Sequence, residues 1–442
     1  MRGIQIKEYV KGPQDLKVTD LPDPVPNPDQ YLIEIHATAT NFYDLLQIRG
    51  KYQHQPPLPW VSGSEFSGTV ISTPKSSSTP RYKPGDRVFG ASQGGYATLV
   101  CVQEASLYPV PESWSFFEAA GLFVTAPTSY GALVTRANIK SGEYVLIHAA
   151  AGGVGLAAVQ IAKAFGATVI ATAGTSRKLE VAREFGADHV IDYSDASWPD
   201  KVKKLTPNNR GVDIVFDPVG LIDKSTKCIR WNGRLLVIGF AAGNIEKVAM
   251  NKVLLKNISI VGLHWGAYVQ NEPEKIREVW DGIFNLIKEG KFRGTVFRDR
   301  EFVGLEDVPK ALESLGSRGT WGKVVVKVDQ KGKAGRTLVS AYLATNSPYS
   351  SIQLSSFITC IYPFCNHVHR WSQVSTYPAV INIPYHTIPY HNTPNQRYLM
   401  ITRSYSDALP FMMQINYHGG KEIQNEPTDR SIQYHSPSTS SY

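Results

Sequence analysis

The chain has 442 residues, enough for two or three domains of roughly 100–200 residues each, and 42% of them are hydrophobic, enough for a sizeable core. Its 46 basic and 38 acidic side chains leave a formal charge of +8 that is spread along the chain, so no basic tract argues for nucleic acid as a partner. No run approaches the roughly 20 apolar residues of a membrane span, the N-terminus has no signal-peptide core, and four cysteines (Cys101, Cys228, Cys360, Cys365) show no disulfide or zinc-finger spacing, which together suggest a reducing, cytoplasmic setting.

Residues 1 to about 125 read as mostly strand. Ile4, Ile6 and Tyr9 alternate in what reads as a first strand, and YLIEIHATA and GDRVFGAS are short alternating runs punctuated by Pro and Gly. TPKSSSTPRYKPGD, at 73–86, is a polar loop ending in a tight turn. From about 126 the rhythm changes. EYVLIHAA (143–150) reads as a buried strand, VGLAAVQIAKAFG (154–166) as an amphipathic helix, ATVIATAG (167–174) as a strand and SRKLEVAREFG (176–186) as a helix. ADHVIDY, GVDIVFDPVG, GRLLVIGF and ISIVGLH follow as strands, most of them separated by helical stretches. Alternating strands and helices predict a parallel, doubly wound α/β sheet over 126–291, closed by a long amphipathic helix at 272–291. Residues 295 to 328 return to short strands and end in GKVVVKV, which is expected to pair back onto 1–125. The segment 331–442 differs in kind: it holds 11 of the 22 tyrosines and 6 of the 11 histidines, with weak periodicity, and is expected to be a disordered tail.

The strongest motif is HAAAGGVGLAAVQIAK (148–163), a Gly-rich turn between a predicted strand and a predicted helix. Gly152 and Gly153 let the backbone approach a pyrophosphate, the helix N-terminus supplies free N–H groups, and Gly155 permits close packing of helix on sheet. The next strand ends in IATAGTSRKLE, without the acid that would grip a ribose 2′-hydroxyl. Gly174, Thr175, Ser176, Arg177 and Lys178 suit a 2′-phosphate instead, so the expected cofactor is NADPH, with Lys178 the leading phosphate partner and Arg177 the second.

These motifs, together with NFYDLLQIRGKY, GSEFSGTV, KPGDRVFG, AAGLFVTAPTSYGAL, FDPVGL, LEDVPKAL and TWGKVVV, resemble the zinc-free, zeta-crystallin-like quinone oxidoreductase branch of the medium-chain dehydrogenase/reductase superfamily, over residues 1 to about 328. The resemblance implies a β-rich GroES-like catalytic domain (1–125, completed by 292–330) beside a Rossmann NADPH domain (126–291), and a homodimer through the edge at 258–268. It implies cofactor contacts at Asn41, Tyr130, Gly152, Gly153, Val154, Thr175, Lys178, Tyr193, Gly239, Phe240 and Lys323, alongside the Gly174 read from the sequence. Tyr52 is the candidate hydroxyl of the acceptor pocket, whereas Tyr43 matches no recognisable family residue. A zinc dehydrogenase would carry Cys near Asn41 and His at Ser64, so no metal is expected. Without a metal, the expected reaction is NADPH-dependent reduction of a quinone or another conjugated carbonyl, because such an acceptor passes charge to a distant oxygen. The alternatives are an enoyl-thioester or enone reductase on the same fold, and a non-catalytic NADPH-binding sensor or structural protein.

Overall fold

The computed structural model describes residues 1–243, 245–329, 397–400 and 412–415. The described residues fall into two units, those up to 329 in the first and the short strands at 397–400 and 412–415 in the second. In the second, Arg397–Met400 pairs antiparallel with Met412–Ile415. The rest of the expected disordered tail, including the Cys360 and Cys365 cluster, lies outside the described residues.

A six-stranded sheet forms one half of the first unit, in the order His189–Asp192, Thr168–Ala173, Tyr144–Ile147, Val212–Asp217, Ile229–Val237, Ser259–Gly262. Every neighbouring pair is parallel. The order reverses beside Tyr144–Ile147, and the crevice beyond the carboxyl ends of the strands at such a point is where ligands settle. Val212–Asp217 is buried at every position, as a central strand covered on both faces requires. The helix Pro273–Lys288 turns Val279, Trp280, Ile283 and Leu286 into the core, the spacing of one helical face. Helix Gly153–Ala164 packs closely because its inward residues include Ala157, Ala158 and Ala162, and a Cβ on Gly155 would lie 2.4 Å from the Ala149 carbonyl oxygen.

The other half is a seven-stranded, mostly antiparallel sheet built around the long strand Gln30–Ala39. Glu65–Ser72 and Leu99–Gln103 pair with this strand, and so does Val325–Lys327 from near the end of the described unit, in the register Val325 opposite Ala39.

Several expectations need correction. The first strand is Arg2–Ile6; the chain bends at Lys7 and Glu8, and Tyr9 lies beyond the strand with 47% of its surface exposed. Residues 1–125 also contain the short helix Phe42–Gln47. The region after 292 holds a helix, Val308–Gly316, where only strands were expected. Its Pro309 stands in the first turn, which tolerates proline, and Val308, Ala311 and Leu312 form its buried face.

Candidate active site

The cleft at the sheet's switch point is lined by Ala149, Gly152 and Gly153 from the Gly-rich turn, Ala173 and Lys178 from the second strand and its helix, and Tyr193 beyond the third strand. Val219, Ala241 and Ala242 form another wall, and Leu315, Arg318, Thr320, Gly322 and Phe42 close it from the β-rich half. Two of these residues adopt left-handed backbone conformations despite carrying side chains, Ala149 at φ 45° and Arg318 at φ 58°. Such conformations are costly and concentrate where a site is built. The Gly322 N–H donates to the Ala151 carbonyl at 2.6 Å, so the β-rich half is stitched directly to the turn.

Lys178 and Arg318 place two positive side chains in the cleft. Lys178 Nζ donates to the Arg318 carbonyl at 2.7 Å, and the Arg318 guanidinium donates to the Ala241 carbonyl at 3.0 Å. Among the described residues no carboxylate lines the cleft. Burial, followed by the nearby Arg318 charge, lowers the Lys178 pKa. Two cations held by neutral carbonyls at the end of a dinucleotide cleft suit a phosphate dianion. A Cβ on Gly152 would meet only the Ala149 carbonyl oxygen, at 3.3 Å, so the backbone there is open to approach. The residues present therefore fit a dinucleotide that carries a 2′-phosphate.

Gly152, Gly153, Lys178 and Tyr193 line this cleft, whereas other expected contacts do not. Arg177 turns to Glu184 and Asp299, and Asp299 also accepts from the Trp321 indole at 2.8 Å. Thr175 caps helix Ser176–Glu184, its hydroxyl accepting from the Lys178 N–H. Gly174 stands beside the Tyr193 ring. Val154 lies in the first turn of its helix, and its carbonyl accepts from the Ser129 hydroxyl. Tyr130 packs edge-on against Phe165, with its hydroxyl over Gly282, because the helix that carries it faces Pro273–Lys288. Gly239 and Phe240 stop short of the lining, which Ala241 and Ala242 supply instead. Arg318 was missed in the sequence. Its signal there is a lone arginine in SLGSRGTWGK, between a helix end and a buried strand.

Behind the cleft lies a sealed polar cluster. The Lys323 ammonium donates to Glu65 Oε2 at 2.8 Å, to Asn41 Oδ1 at 2.6 Å and to the Thr40 carbonyl at 2.9 Å. Asn41 Nδ2 donates to Glu65 Oε2, and Glu65 Oε1 accepts the Val124 N–H. The Lys323 stem lies so close to the turn that a Cβ on Gly153 would come within 2.9 Å of it. Lys323 thus reaches the cofactor region through its stem, and its charge is spent on Glu65. Asp44 accepts from the Asn41 N–H and the Tyr96 hydroxyl, leaving its Oδ1 buried without a hydrogen bond. Nearer the surface, the Tyr43 hydroxyl meets Ser64 Oγ, and the Tyr43 ring stacks on Tyr52 with centroids 5.3 Å apart.

A catalytic zinc does not fit here. Asn41 and Ser64 are neutral oxygen and amide groups committed to protein contacts, and among the described residues no group of three His, Cys, Asp or Glu side chains is arranged to hold a metal ion.

Comparison with known proteins agrees with this geometry. Residues 27–112 match the family model described as the alcohol dehydrogenase GroES-like domain, and residues 153–285 match the one described as zinc-binding dehydrogenase. Over 306 residues the chain is 39% identical to the quinone oxidoreductase-like protein 2 homolog of Nematostella vectensis, covering 68% of this chain and 82% of that protein. The chain belongs to the quinone oxidoreductase branch of the medium-chain dehydrogenase/reductase superfamily. Members of this branch are reductases that work without zinc, which accounts for a match to a zinc-binding model in a chain whose site has no zinc ligands. Among solved structures, Escherichia coli quinone oxidoreductase complexed with NADPH shares 30% identity and a TM-score of 0.67, covering 74% of this chain and all of that one. The CurK enoyl reductase shares 26% identity and a TM-score of 0.65, over 74% of this chain and 99% of that one.

Proposed function

We propose that this oxidoreductase transfers a hydride from NADPH to a quinone or another conjugated carbonyl. The observation that carries the reading is the pairing of Lys178 and Arg318, with no carboxylate among the described residues that line the cleft. When bound, NADPH supplies the hydride from its nicotinamide ring. The backbone N–H of Gly153, at the N-terminus of helix Gly153–Ala164, would receive the pyrophosphate where Gly152, its own N–H bonded to the Ala149 carbonyl, leaves room for it to approach, and Lys178, Arg318 and Tyr193 would hold the adenosine end. Asn41, clamped by Lys323 and Glu65, fixes the edge of the nicotinamide pocket.

No Lewis acid is needed if the acceptor is conjugated, because its charge delocalises to an oxygen that hydroxyl groups can solvate. Tyr52 supplies part of the acceptor pocket. In this reading residues 1–125 with 292–330 form the acceptor-side domain, and 126–291 the nucleotide domain. Two copies associate through the sheet edge at Ser259–Gly262, supported by exposed apolar side chains there and on neighbouring elements: Ile260, Trp231, Leu254 and Leu255. Cytoplasmic residence is part of the proposal, supported by the free thiols of Cys101 and Cys228.

The test is NADPH oxidation with 1,4-benzoquinone, 9,10-phenanthrenequinone and crotonyl-CoA in parallel, with and without a strong chelator. Turnover of a quinone that survives the chelator supports the reading. Turnover of the thioester alone favours the enoyl reductase alternative, which the likeness to CurK motivates. NADPH binding without turnover of any acceptor favours a sensor.

A further inference from the structure

We infer that the Tyr43 hydroxyl is the hydrogen-bond donor that receives the acceptor's carbonyl oxygen, presented for that purpose by Ser64 and Tyr52. The inference rests on the reductase reading above and adds a residue to it.

Placement is the first argument. Tyr43 stands between Phe42, which lines the nucleotide cleft, and Asp44. Its hydroxyl partner Ser64 immediately precedes Glu65, the carboxylate that anchors Asn41 and Lys323. Both halves of the Tyr43–Ser64 pair are thus one or two residues from groups clamped to the Gly-rich turn. Asn41, Asp44 and Glu65 are sealed, whereas Tyr43, Ser64 and Tyr52 each keep part of their surface exposed, so of this assembly the hydroxyl cluster lies nearest the surface.

Geometry is the second. A tyrosine is a useful donor only if its ring is held, and the Tyr43 ring is stacked on Tyr52 with an interplanar angle of 24°. Ser64 Oγ can donate to the Tyr43 oxygen, which frees the phenolic proton to point outward at an acceptor oxygen. Hydroxyls in series polarise one another, and the outer donor is strengthened.

The chemistry agrees. Burial, together with the Asp44 and Glu65 charges, holds the Tyr43 pKa well above that of a free tyrosine despite the opposing Ser64 hydrogen bond. The phenol is therefore neutral, a donor and not a base. As hydride reaches the conjugated acceptor, negative charge develops on its oxygen, and a positioned donor there stabilises that charge more than it stabilises the ground state. Tyr43 keeps its proton. The reduced acceptor takes one proton from water, which balances the two-electron reduction.

The test compares the wild type with Tyr43→Phe, Ser64→Ala and Tyr52→Phe, each first shown to be folded by its thermal melt. One readout is independent of turnover: titration of NADP⁺-loaded protein with 4-nitrophenolate, an oxyanion whose visible band moves to shorter wavelength when it accepts a hydrogen bond. The wild type is expected to bind it and shift the band. Tyr43→Phe is expected to lose the shift, to lower kcat for 1,4-benzoquinone on the order of tenfold or more, and to leave the NADPH Kd unchanged. Ser64→Ala should fall between them. The inference is overturned if the wild type shows no shift, if Tyr43→Phe keeps both the shift and kcat, or if Tyr52→Phe alone abolishes the shift. Failure of the wild type to reduce any conjugated acceptor would refute the reductase reading, whereas the 4-nitrophenolate titration would still judge Tyr43.

Discussion

Lys323 and Glu65, 258 residues apart in sequence, meet as a buried ion pair in which Nζ lies 2.8 Å from Oε2 and the side chains are 4% and 0% exposed. Removing one partner strands the other's charge in a medium that cannot solvate it. Lys323→Met is therefore expected to lower the stability of the protein by about 3–5 kcal/mol, read as a fall in the urea midpoint. Adding Glu65→Gln should restore part of the loss. A single variant as stable as the wild type would show that water reaches the pair.

Lys178 and Arg318 should determine the preference for a 2′-phosphate. Lys178→Ala and Arg318→Ala are each expected to weaken NADPH binding by about tenfold or more while changing NADH binding little, measured by fluorescence titration of both nucleotides. Arg177→Ala should leave the NADPH-to-NADH ratio nearly unchanged, because its guanidinium is already committed to Glu184 and Asp299. A large change in that ratio with Arg177→Ala would return Arg177 to the phosphate site.

His148 should make folding sensitive to acid. Burial pushes its imidazole down from 6.5 to about 4, against the opposing charge of Asp217, and its two ring nitrogens are each 2.9 Å from a hydroxyl, of Thr172 and of Ser225. The unfolded chain takes up a proton near 6.5 and the folded protein only near 4, so the unfolded state binds more protons in between. Stability should decline as pH falls through that window. His148→Asn should lower stability at neutral pH and flatten this slope in urea titrations across the window.

Asp44 should act in the opposite direction. Burial raises its pKa from 3.8 to about 6, against the lowering effects of Tyr96, the Asn41 N–H and Lys323. The folded protein then holds a proton on Asp44 that the unfolded chain has released, so this group's contribution falls as pH rises between the two values. Asp44→Asn should gain on the wild type across that interval in the same titrations. A difference between the two proteins that does not vary with pH would show that Asp44 is ionised throughout.

How far the site could be read from the sequence depended on whether its chemistry is local. The Gly-rich turn was legible because strand, glycines and helix are consecutive residues, and Lys178 because its place follows from the strand before it. Asn41 and Ser64 were informative as residues that are not metal ligands. Arg318 was missed because a lone arginine between a helix end and a buried strand does not say which side chains it will meet, and its cleft partners Lys178 and Ala241 lie 140 and 77 residues away in sequence. Lys323, Thr175 and Arg177 were read as cofactor contacts because their positions are right, but other partners claim them: a buried carboxylate, a helix N-terminus and a surface acid pair. Tyr43 lacked any local signal, since its partner Ser64 lies 21 residues further on.

The antiparallel pairing of Val325–Lys327 with Gln30–Ala39 has a consequence for biosynthesis. The parallel sheet draws on a continuous stretch of chain from Tyr144 to Gly262, its covering helix Pro273–Lys288 follows directly, and this half can assemble once residue 288 has left the ribosome. The β-rich half, although translated first, waits for its last strand and for Lys323, 282 residues beyond Asn41. A nascent chain would therefore complete its nucleotide-binding half before its amino-terminal half, reversing the usual order of synthesis, and any message truncated before codon 323 would yield a protein with an open sheet edge and an uncompensated Glu65.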